Sequence, residues 1–163
     1  MSKISKRQNA VNVPEGEEHV SQAGEVLTSL IVPVIQLEAY FSRAGEGIAA
    51  AGGQTLARWL VLEAVADAPA PVAQIARGFG YTRQSVQRVA DLLERDGFTE
   101  YGFNPAHQRS QLVRITPLGR KTLTTIRRAQ RAWADRVGSE IGEAALRQAS
   151  SVVDNLTRIL KGT

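Results

Sequence analysis

Three polar side chains with paired hydrogen-bonding groups lie close together in the chain, at Gln84, Gln87 and Arg88. In a helix these positions share one side, because residues three and four apart are neighbours on the helix surface. Glutamine and arginine are the side chains whose paired atoms match the major-groove edges of adenine and guanine. The spacing therefore indicates base recognition, although a solvated helix face has the same pattern and both interpretations stay open at this point.

A helix carrying these residues is predicted to begin at Arg83. Thr82 is a favourable N-cap whose hydroxyl can accept a hydrogen bond from the backbone N–H of Gln84 or Ser85. The predicted end is the sequence Asp96-Gly97-Phe98, in which glycine supplies a left-handed residue. Four apolar residues at three- and four-residue steps are expected to face a core: Val86, Val89, Ala90 and Leu93.

A shorter helix is predicted just upstream. Pro71 suits the first helical position because its missing N–H would be unpaired there, and Gly78 and Gly80 are expected to end the helix. The apolar side of this helix consists of Val72, Ile75, Ala76 and Phe79. Two helices joined by a tight glycine turn are typical of a helix-turn-helix unit.

Two strand-like segments follow the second helix, at residues 99–103 and 111–115. They contain β-branched and aromatic residues, and Asn104-Pro105 begins the turn between them. The turn carries Arg109, a long cation suited to a minor groove, where A·T-rich sequence concentrates negative potential. Taken alone, this segment is more simply interpreted as an ordinary surface hairpin with one arginine.

Residues 56–119 resemble the multiple-antibiotic-resistance regulator (MarR) family of bacterial transcription factors. The resemblance rests on YTRQSVQRVADLLERDGF, NPAHQRSQLVRIT and TPLGR, which stand in the family's order and spacing. It implies a homodimer with one winged helix-turn-helix per subunit, an interface of N- and C-terminal helices, and frequently a small-molecule pocket between the two parts. By position, residues 82–95 correspond to the recognition helix and Arg109 to the wing-tip arginine. Many members have Asp two residues before that arginine, where this chain has His107.

The expected DNA-binding residues combine the polar helix face with the wing tip. They are Thr82, Arg83, Gln84, Ser85, Gln87, Arg88, His107 and Arg109. A small-molecule effector is implied by the resemblance alone, and its binding residues are not assigned. Tyr40, Arg43 and Trp59 could line a cleft between the N-terminal helical region and the winged unit, with a core position as the alternative for Trp59.

The regions on either side carry apolar stripes typical of helices that pack against other helices. The N-terminal stripe comprises Leu27, Leu30, Val34, Leu37, Phe41, Ala44 and Ile48, and Pro33 within it predicts either a kink or a new helix start. The C-terminal region begins at the N-cap Thr116, followed by Pro117 at the first helical position. A last helix is expected after Gly138-Ser139. So much helical apolar surface needs a partner, and the resemblance favours a second copy of the chain.

The predicted fold is mainly α with a small β-wing: a winged helix-turn-helix plus N- and C-terminal dimerisation helices. Residues 1–20 are expected to form a disordered or loosely docked arm, and residues 21–53 the N-terminal dimerisation helix. Residues 54–119 would form the winged helix-turn-helix DNA-binding region, and residues 120–163 the C-terminal helices that complete the dimer interface. Two recognition helices related by a two-fold axis would then reach successive major grooves, about 10 base pairs apart.

The charge of the chain is unevenly distributed. Residues 71–131 contain eleven basic and four acidic residues, a balance of +7, which leaves −3 for the remainder of a chain whose net charge is +4. Positive charge concentrated in the predicted winged unit is what phosphate binding requires. The count alone does not establish that these side chains share a face.

The chain lacks the residues that several classes of function need. The absence of cysteine excludes disulfides, thiolate nucleophiles and cysteine metal sites. His19 and His107 have no carboxylate pair or second ligand at metal spacing nearby, so no enzyme activity, metal or cofactor is expected. The glycines around Glu46 are not followed by the Gly-Lys-Ser/Thr of a phosphate loop. No apolar run approaches bilayer length and the N-terminus lacks a secretory signal, so the cytoplasm, at the nucleoid, is the expected location.

The sequence thus predicts a homodimeric, sequence-specific DNA-binding regulator of transcription that acts as a repressor. Its recognition helix would enter the major groove of a palindromic operator and its wing arginine the minor groove, with release by a small-molecule effector following from the resemblance alone. The alternative is a winged-helix module that binds another protein without sequence-specific DNA binding. The first of these functions, DNA binding, is favoured because protein-binding modules usually lack a basic and polar face such as that of Gln84, Gln87, Arg88 and Arg109.

Overall fold

The computed structural model describes residues 20–105 and 110–162, which contain six helices and three short strands. The helices are α1 Gln22–Ala50, α2 Leu56–Ala64, α3 Val72–Phe79, α4 Arg83–Arg95, α5 Pro117–Ile141 and α6 Glu143–Gly162. The strands are β1 Ala70–Pro71, β2 Thr99–Gly102 and β3 Leu112–Ile115. The predicted class, mainly α with a small β-wing, is therefore confirmed. The arm expected at residues 1–20 lies, apart from Val20, outside the described residues.

Helix α4 begins and ends at the residues that local sequence signals predicted. The Thr82 hydroxyl accepts a hydrogen bond from the backbone N–H of Ser85 at 3.1 Å, which satisfies one of the unpaired donors of the first turn. At the other end, Gly97 has φ +79°, and the N–H of Phe98 donates to the carbonyl of Leu93 at 2.9 Å. Val86, Ala90 and Leu93 are buried, and Val89 is half-buried.

Helix α3 begins one residue later than predicted. Pro71 is its N-cap, with extended backbone angles, and not its first helical residue. The proline pairs instead in β1, an edge strand, where a missing N–H is tolerated. Gly80 ends α3 as expected: it has φ +70°, and its N–H donates to the carbonyl of Ala76. Gly78, which was also expected to end the helix, lies inside it.

The wing is part of a three-stranded antiparallel sheet in the order β1-β3-β2. Tyr101 lies opposite Val113, and Ala70 lies opposite the same residue from the other side. The two wing strands were predicted, each one residue too long, but β1 was not. A two-residue strand has no periodicity to detect, and its pairing with β3 depends on residues about forty positions away.

The core supports α4 from beneath. Its most deeply buried large side chains are Leu62, Leu93, Ile126, Val65 and Val113, each less than 2% exposed. These come from α2 and the turn after it, α4, α5 and β3, so one apolar cluster fixes α4 to the wing and to α5. Trp59 is 8% exposed and belongs to this cluster, as its alternative reading expected.

The start of α5 is packed tightly against the end of α4. Thr116 caps α5 by accepting from the N–H of Gly119 at 3.1 Å, and its hydroxyl donates to the carbonyl of Gly97 at 2.7 Å. A Cβ at position 119 would overlap the carbonyl oxygen of Phe98. Glycine at 119 is therefore required by a backbone-to-backbone approach between two elements.

The corner between the last two helices differs from the prediction. The expected break at Gly138-Ser139 is wrong, because α5 continues to Ile141 and the chain turns at Gly142. Gly142 has φ +91° and ψ +146°, a conformation that side-chain-bearing residues rarely adopt. Gly138 stays inside the helix, and its carbonyl accepts from the N–H of Gly142 at 2.9 Å.

The chain divides into two compact units, Met1–Glu38 and Ala39–Thr163. In the first unit, the described part of α1 exposes a series of apolar side chains: Val26, Leu27, Leu30, Ile31, Val32, Val34, Ile35 and Leu37. In the second unit, α6 has no buried residue and exposes Leu146, Val152, Val153, Ile159 and Leu160. A new helix start at Pro33 is not observed, because α1 is assigned as helix throughout.

Helix α1 also corrects the expectation about apolar runs. An 18-residue window within Gln22–Ala50 reaches a mean hydropathy of 1.2, so α1 is long and apolar enough to cross a membrane by length and composition. Polar and small residues are interspersed along it, which is why no uninterrupted apolar run is visible. Length and composition do not distinguish a membrane-spanning helix from a helix that packs against protein.

Candidate nucleic-acid interface

The outward side of α4 presents the predicted polar side chains. Arg83, Gln84, Ser85 and Arg88 are exposed, whereas Gln87 is half-buried. Arg83, Gln84, Gln87, Arg88 and Asp91 line a shallow hollow on this side of the helix. We call this surface the α4 face. It brings together four of the six predicted helix residues, whereas Ser85 is exposed outside the hollow and Thr82 acts as the cap.

Gln87 is held by two residues that sequence analysis did not single out. Its amide nitrogen lies 2.8 Å from Asp91 Oδ1 and 2.7 Å from the hydroxyl oxygen of Tyr101 in β2. The Tyr101 hydroxyl donates in turn to Asp91 Oδ1 at 2.6 Å. These three residues, which we call the Gln87 triangle, link α4 to the wing. The four-residue spacing of Gln87 and Asp91 was a usable signal, but the contact with Tyr101 is non-local.

The Tyr101 phenol is kept in its neutral form. Burial raises the pKa of Tyr101 above its usual value, and the hydrogen bond to Asp91 raises it further, while Gln87 opposes the shift weakly. A neutral phenol beside a carboxylate must donate, because the carboxylate can only accept. The direction of each hydrogen bond in the Gln87 triangle is therefore determined.

A second polar contact secures the C-terminal end of α4. Arg58 of α2 donates to Asp96 Oδ2 at 2.8 Å, and its guanidinium lies 5.3 Å from the centroid of the Phe98 ring. Hydrogen bonds from Arg58 and then from Arg95 hold the pKa of Asp96 below its usual range. Helix α4 is thus tied to α2 at one end and to the wing in its middle.

Not all of the basic residues counted in the sequence are available to a phosphate. Arg120 donates to the carbonyl of Ala66 at 2.8 Å, and Arg127 forms an ion pair with Glu63. The hydrogen bond to Glu63 raises the pKa of Arg127. These two arginines join α5 to the α2 region, so the charge count overstates the positive charge on the α4 face.

The wing contributes a further arginine from β3. Arg114 lies opposite Glu100, and its side chain crosses the neighbouring strand at Gly102, where a Cβ would meet it. The predicted tip residues His107 and Arg109 lie outside the described residues. Their assignment stays a prediction from sequence.

An apolar cleft of about 160 Å³ lies behind the first turns of α4. Residues of α2, α3 and α4 line it, among them Leu60, Ile75 and Val89. Phe79 and Tyr81 stack at its edge, with ring centroids 6.3 Å apart. Its volume is below the roughly 300 Å³ that small-molecule sites commonly have, so we assign no ligand to it.

Side chains suited to other chemistry are not clustered in the described part of the chain. No group of three or more His, Cys, Asp or Glu residues is placed to hold a metal ion within residues 20–105 and 110–162. Of the three residues considered for an effector cleft, Trp59 is in the core and Tyr40 is 65% exposed. The α4 face is therefore the candidate functional site.

An N-capped helix with a polar and basic outer side, a preceding short helix and an adjoining two-stranded wing define a winged helix-turn-helix protein. Residues 53–110 match the family model described as MarR family. The chain belongs to the MarR family. Uncharacterized proteins of Mycobacterium tuberculosis and Mycobacterium bovis are 37% identical to it over 134 residues, which span 82% of this chain and 92% of theirs.

Solved structures agree on the fold. BldR of Sulfolobus solfataricus, a transcriptional regulator, is 17% identical, with a TM-score of 0.72 over 88% of this chain and 99% of that one. A Staphylococcus aureus MarR in complex with salicylate and kanamycin is 13% identical, with a TM-score of 0.73 over 86% and 96%. A MarR family regulator of Rhodococcus sp. RHA1 is 17% identical, with a TM-score of 0.70 over 83% and 96%.

Proposed function

We propose that this protein is a homodimeric, sequence-specific DNA-binding regulator that represses transcription from a palindromic operator. The observation that carries the proposal is the α4 face, where exposed Gln84 and Arg88 stand on a helix held rigidly by its cap and by the core. Bidentate side chains on a fixed helix suit base edges in the major groove. Arg109 would reach the minor groove from the wing. No catalytic role is proposed.

The dimer is supported by the exposed apolar surfaces of both units. Apolar side chains of α1 and α6 face solvent in the single chain, and contiguous patches of this kind commonly mark protein interfaces. Homodimers with two-fold symmetry bury the same patch on each subunit. Pairing through these helices would present two α4 faces to half-sites about one helical turn apart.

Control by a small molecule is a further part of the proposal. The S. aureus MarR was solved in complex with salicylate and kanamycin. For this chain we propose that a small molecule binds, without naming which one. An effector would act by preferring a dimer geometry whose recognition helices no longer match the spacing of the grooves, and its effect is limited by its differential affinity for the two geometries. Binding and repression would take place in the cytoplasm, at the nucleoid.

Binding of the purified protein to duplex DNA from its own upstream region tests the proposal. Fluorescence anisotropy should detect a complex whose affinity falls steeply with salt, because phosphate contacts release counterions. A duplex of scrambled sequence with equal base composition is the matched control and should bind more weakly. Equal affinity for both duplexes would reject sequence-specific binding, and an affinity insensitive to salt would reject phosphate contact. No binding to either duplex would favour a protein partner.

A further inference from the structure

The orientation of the Gln87 amide is dictated by its neighbours. An amide oxygen placed 2.8 Å from a carboxylate oxygen would repel it, because neither atom carries a hydrogen. The group beside Asp91 must therefore be the NH₂. The same nitrogen donates to the Tyr101 hydroxyl, whose own hydrogen is used by Asp91.

The consequence concerns the other end of the amide. With its nitrogen engaged in the Gln87 triangle, the carbonyl oxygen Oε1 is left without a donor among the described residues. An unrestrained glutamine recognises adenine by accepting from N6 and donating to N7 at once. Gln87 has its donor directed inward, so that bidentate arrangement is not open to it.

We infer that Asp91 and Tyr101 are positioning residues that make Gln87 an acceptor-only reader, selecting bases that present an exocyclic amino group in the major groove. Adenine N6 and cytosine N4 are such groups, whereas guanine and thymine present the acceptor oxygens O6 and O4. The base contacted by Gln87 should therefore be adenine or cytosine with little distinction between them. This inference rests on the proposed function, since it specifies how the α4 face recognises its operator.

The first test needs no DNA. The chain has three tyrosines, Tyr40, Tyr81 and Tyr101. In an absorbance titration at alkaline pH, the Tyr101 component, taken as the difference between the wild type and Tyr101→Phe, should ionise above the usual range of a tyrosine. Asp91→Ala should bring it to lower pH, because the hydrogen bond to Asp91 raises the pKa of Tyr101. A Tyr101 component that ionises in the usual tyrosine range in the folded protein, or that does not respond to Asp91→Ala, would overturn the inference.

The second test is selection of bound duplexes from a random pool. Gln87→Ala identifies the contacted position, as the one where base preference is lost. At that position the wild type should accept adenine and cytosine equally and disfavour guanine and thymine by about two- to tenfold, the range of one neutral hydrogen bond. Asp91→Ala frees the amide, so adenine should gain over cytosine and guanine should become acceptable.

Glu94→Ala is the matched control, because it removes the same charge from the same helix and leaves the hydrogen bonds of Gln87 in place. It should preserve the wild-type preference. Urea unfolding, monitored by circular dichroism, checks that the Asp91→Ala variant remains folded. If that variant does not fold, Tyr101→Phe replaces it in the selection and should weaken the discrimination against guanine.

The outcomes separate this inference from the proposed function. Selection of a defined operator in which Gln87→Ala changes no position would overturn the inference and leave the proposed function standing. A position changed by Asp91→Ala but not by Gln87→Ala would assign the acceptor to Asp91 and also overturn it. If the wild type selects no sequence although its late-ionising tyrosine responds to Asp91→Ala, the proposed function is the part that fails.

Discussion

At the scale of single residues, the side chains of the α4 face differ in their freedom. Gln84 and Arg88 are exposed, while Gln87 is engaged with Asp91 and Tyr101. Residue type and spacing predicted which side chains lie on this face. They did not predict which of them is already hydrogen-bonded, because Tyr101 reaches Gln87 from another element.

Arg88→Ala should weaken operator binding by about 1–3 kcal/mol, the range for a bidentate base contact, and should relax the sequence preference at one position. Arg88→Lys keeps the charge but loses the two parallel N–H donors of the guanidinium group, so it should recover little of the base preference. Titration of labelled operator measures both. Arg136→Ala, which removes an exposed arginine near the end of α5, is the control; an equal loss in that variant would mean that Arg88 contributes only charge.

Thr82→Ala should lower the free energy of unfolding by about 1 kcal/mol, because the N–H of Ser85 loses its acceptor. Thr82→Ser retains the hydroxyl and should cost much less. Urea unfolding followed by circular dichroism compares the two. Identical stabilities for Ala and Ser at this position would show that the cap contributes nothing.

The stability supplied by Asp96 should depend on pH. Its pKa is lowered in the folded state by Arg58 and Arg95, so its contribution is present above the unfolded pKa and is lost as pH falls through the lower folded value. Asp96→Asn should therefore be less stable than the wild type at pH 7, with the gap closing in acid. Urea unfolding at both pH values measures this gap, and Asp135→Asn, on an exposed residue of α5, should show no such closing.

At the scale of elements, helix ends were predictable where the signal is local. Thr82, Gly97 and Thr116 each act within a few residues, and each ends or begins a helix as expected. The corner at Gly142 was predicted four residues too early, at Gly138. Both residues are glycines, which commonly end helices, and only the fold decides which one leaves the helix. Strand β1 was missed since its pairing partner is distant in sequence.

The two glycines near the end of α3 should respond to alanine with opposite signs. Gly78 is helical with open space around it, so Gly78→Ala should stabilise the protein by about 0.5–1 kcal/mol. Gly80 has equally open space but φ +70°, so Gly80→Ala should destabilise it. Thermal unfolding of the pair gives the comparison, in which each variant is the control for the other. Equal shifts would contradict the backbone argument.

At the scale of the whole molecule, the exposed apolar residues of α6 predict that the chain forms a dimer. Val153 is 59% exposed in the single chain. If a second copy covers Val153, Val153→Glu would bury an unpaired charge. The dissociation constant of the dimer should then rise by at least about tenfold. Sedimentation velocity over a concentration series measures it. Ser151→Glu adds the same charge to the same helix and should act less strongly; a monomeric wild type would contradict the dimer.

The contact at Gly119 separates substitutions that would change the outward side chains from substitutions that would change the scaffold. Because the carbonyl of Phe98 abuts the backbone of α5, the angle between α4 and α5 is fixed by main-chain atoms. Substitutions at Gln84 or Arg88 leave that contact untouched. If the α4 face contacts DNA as proposed, exchanging a few outward side chains would change the preferred sequence, while the main-chain contact that sets the position of α4 against α5 would stay unaltered.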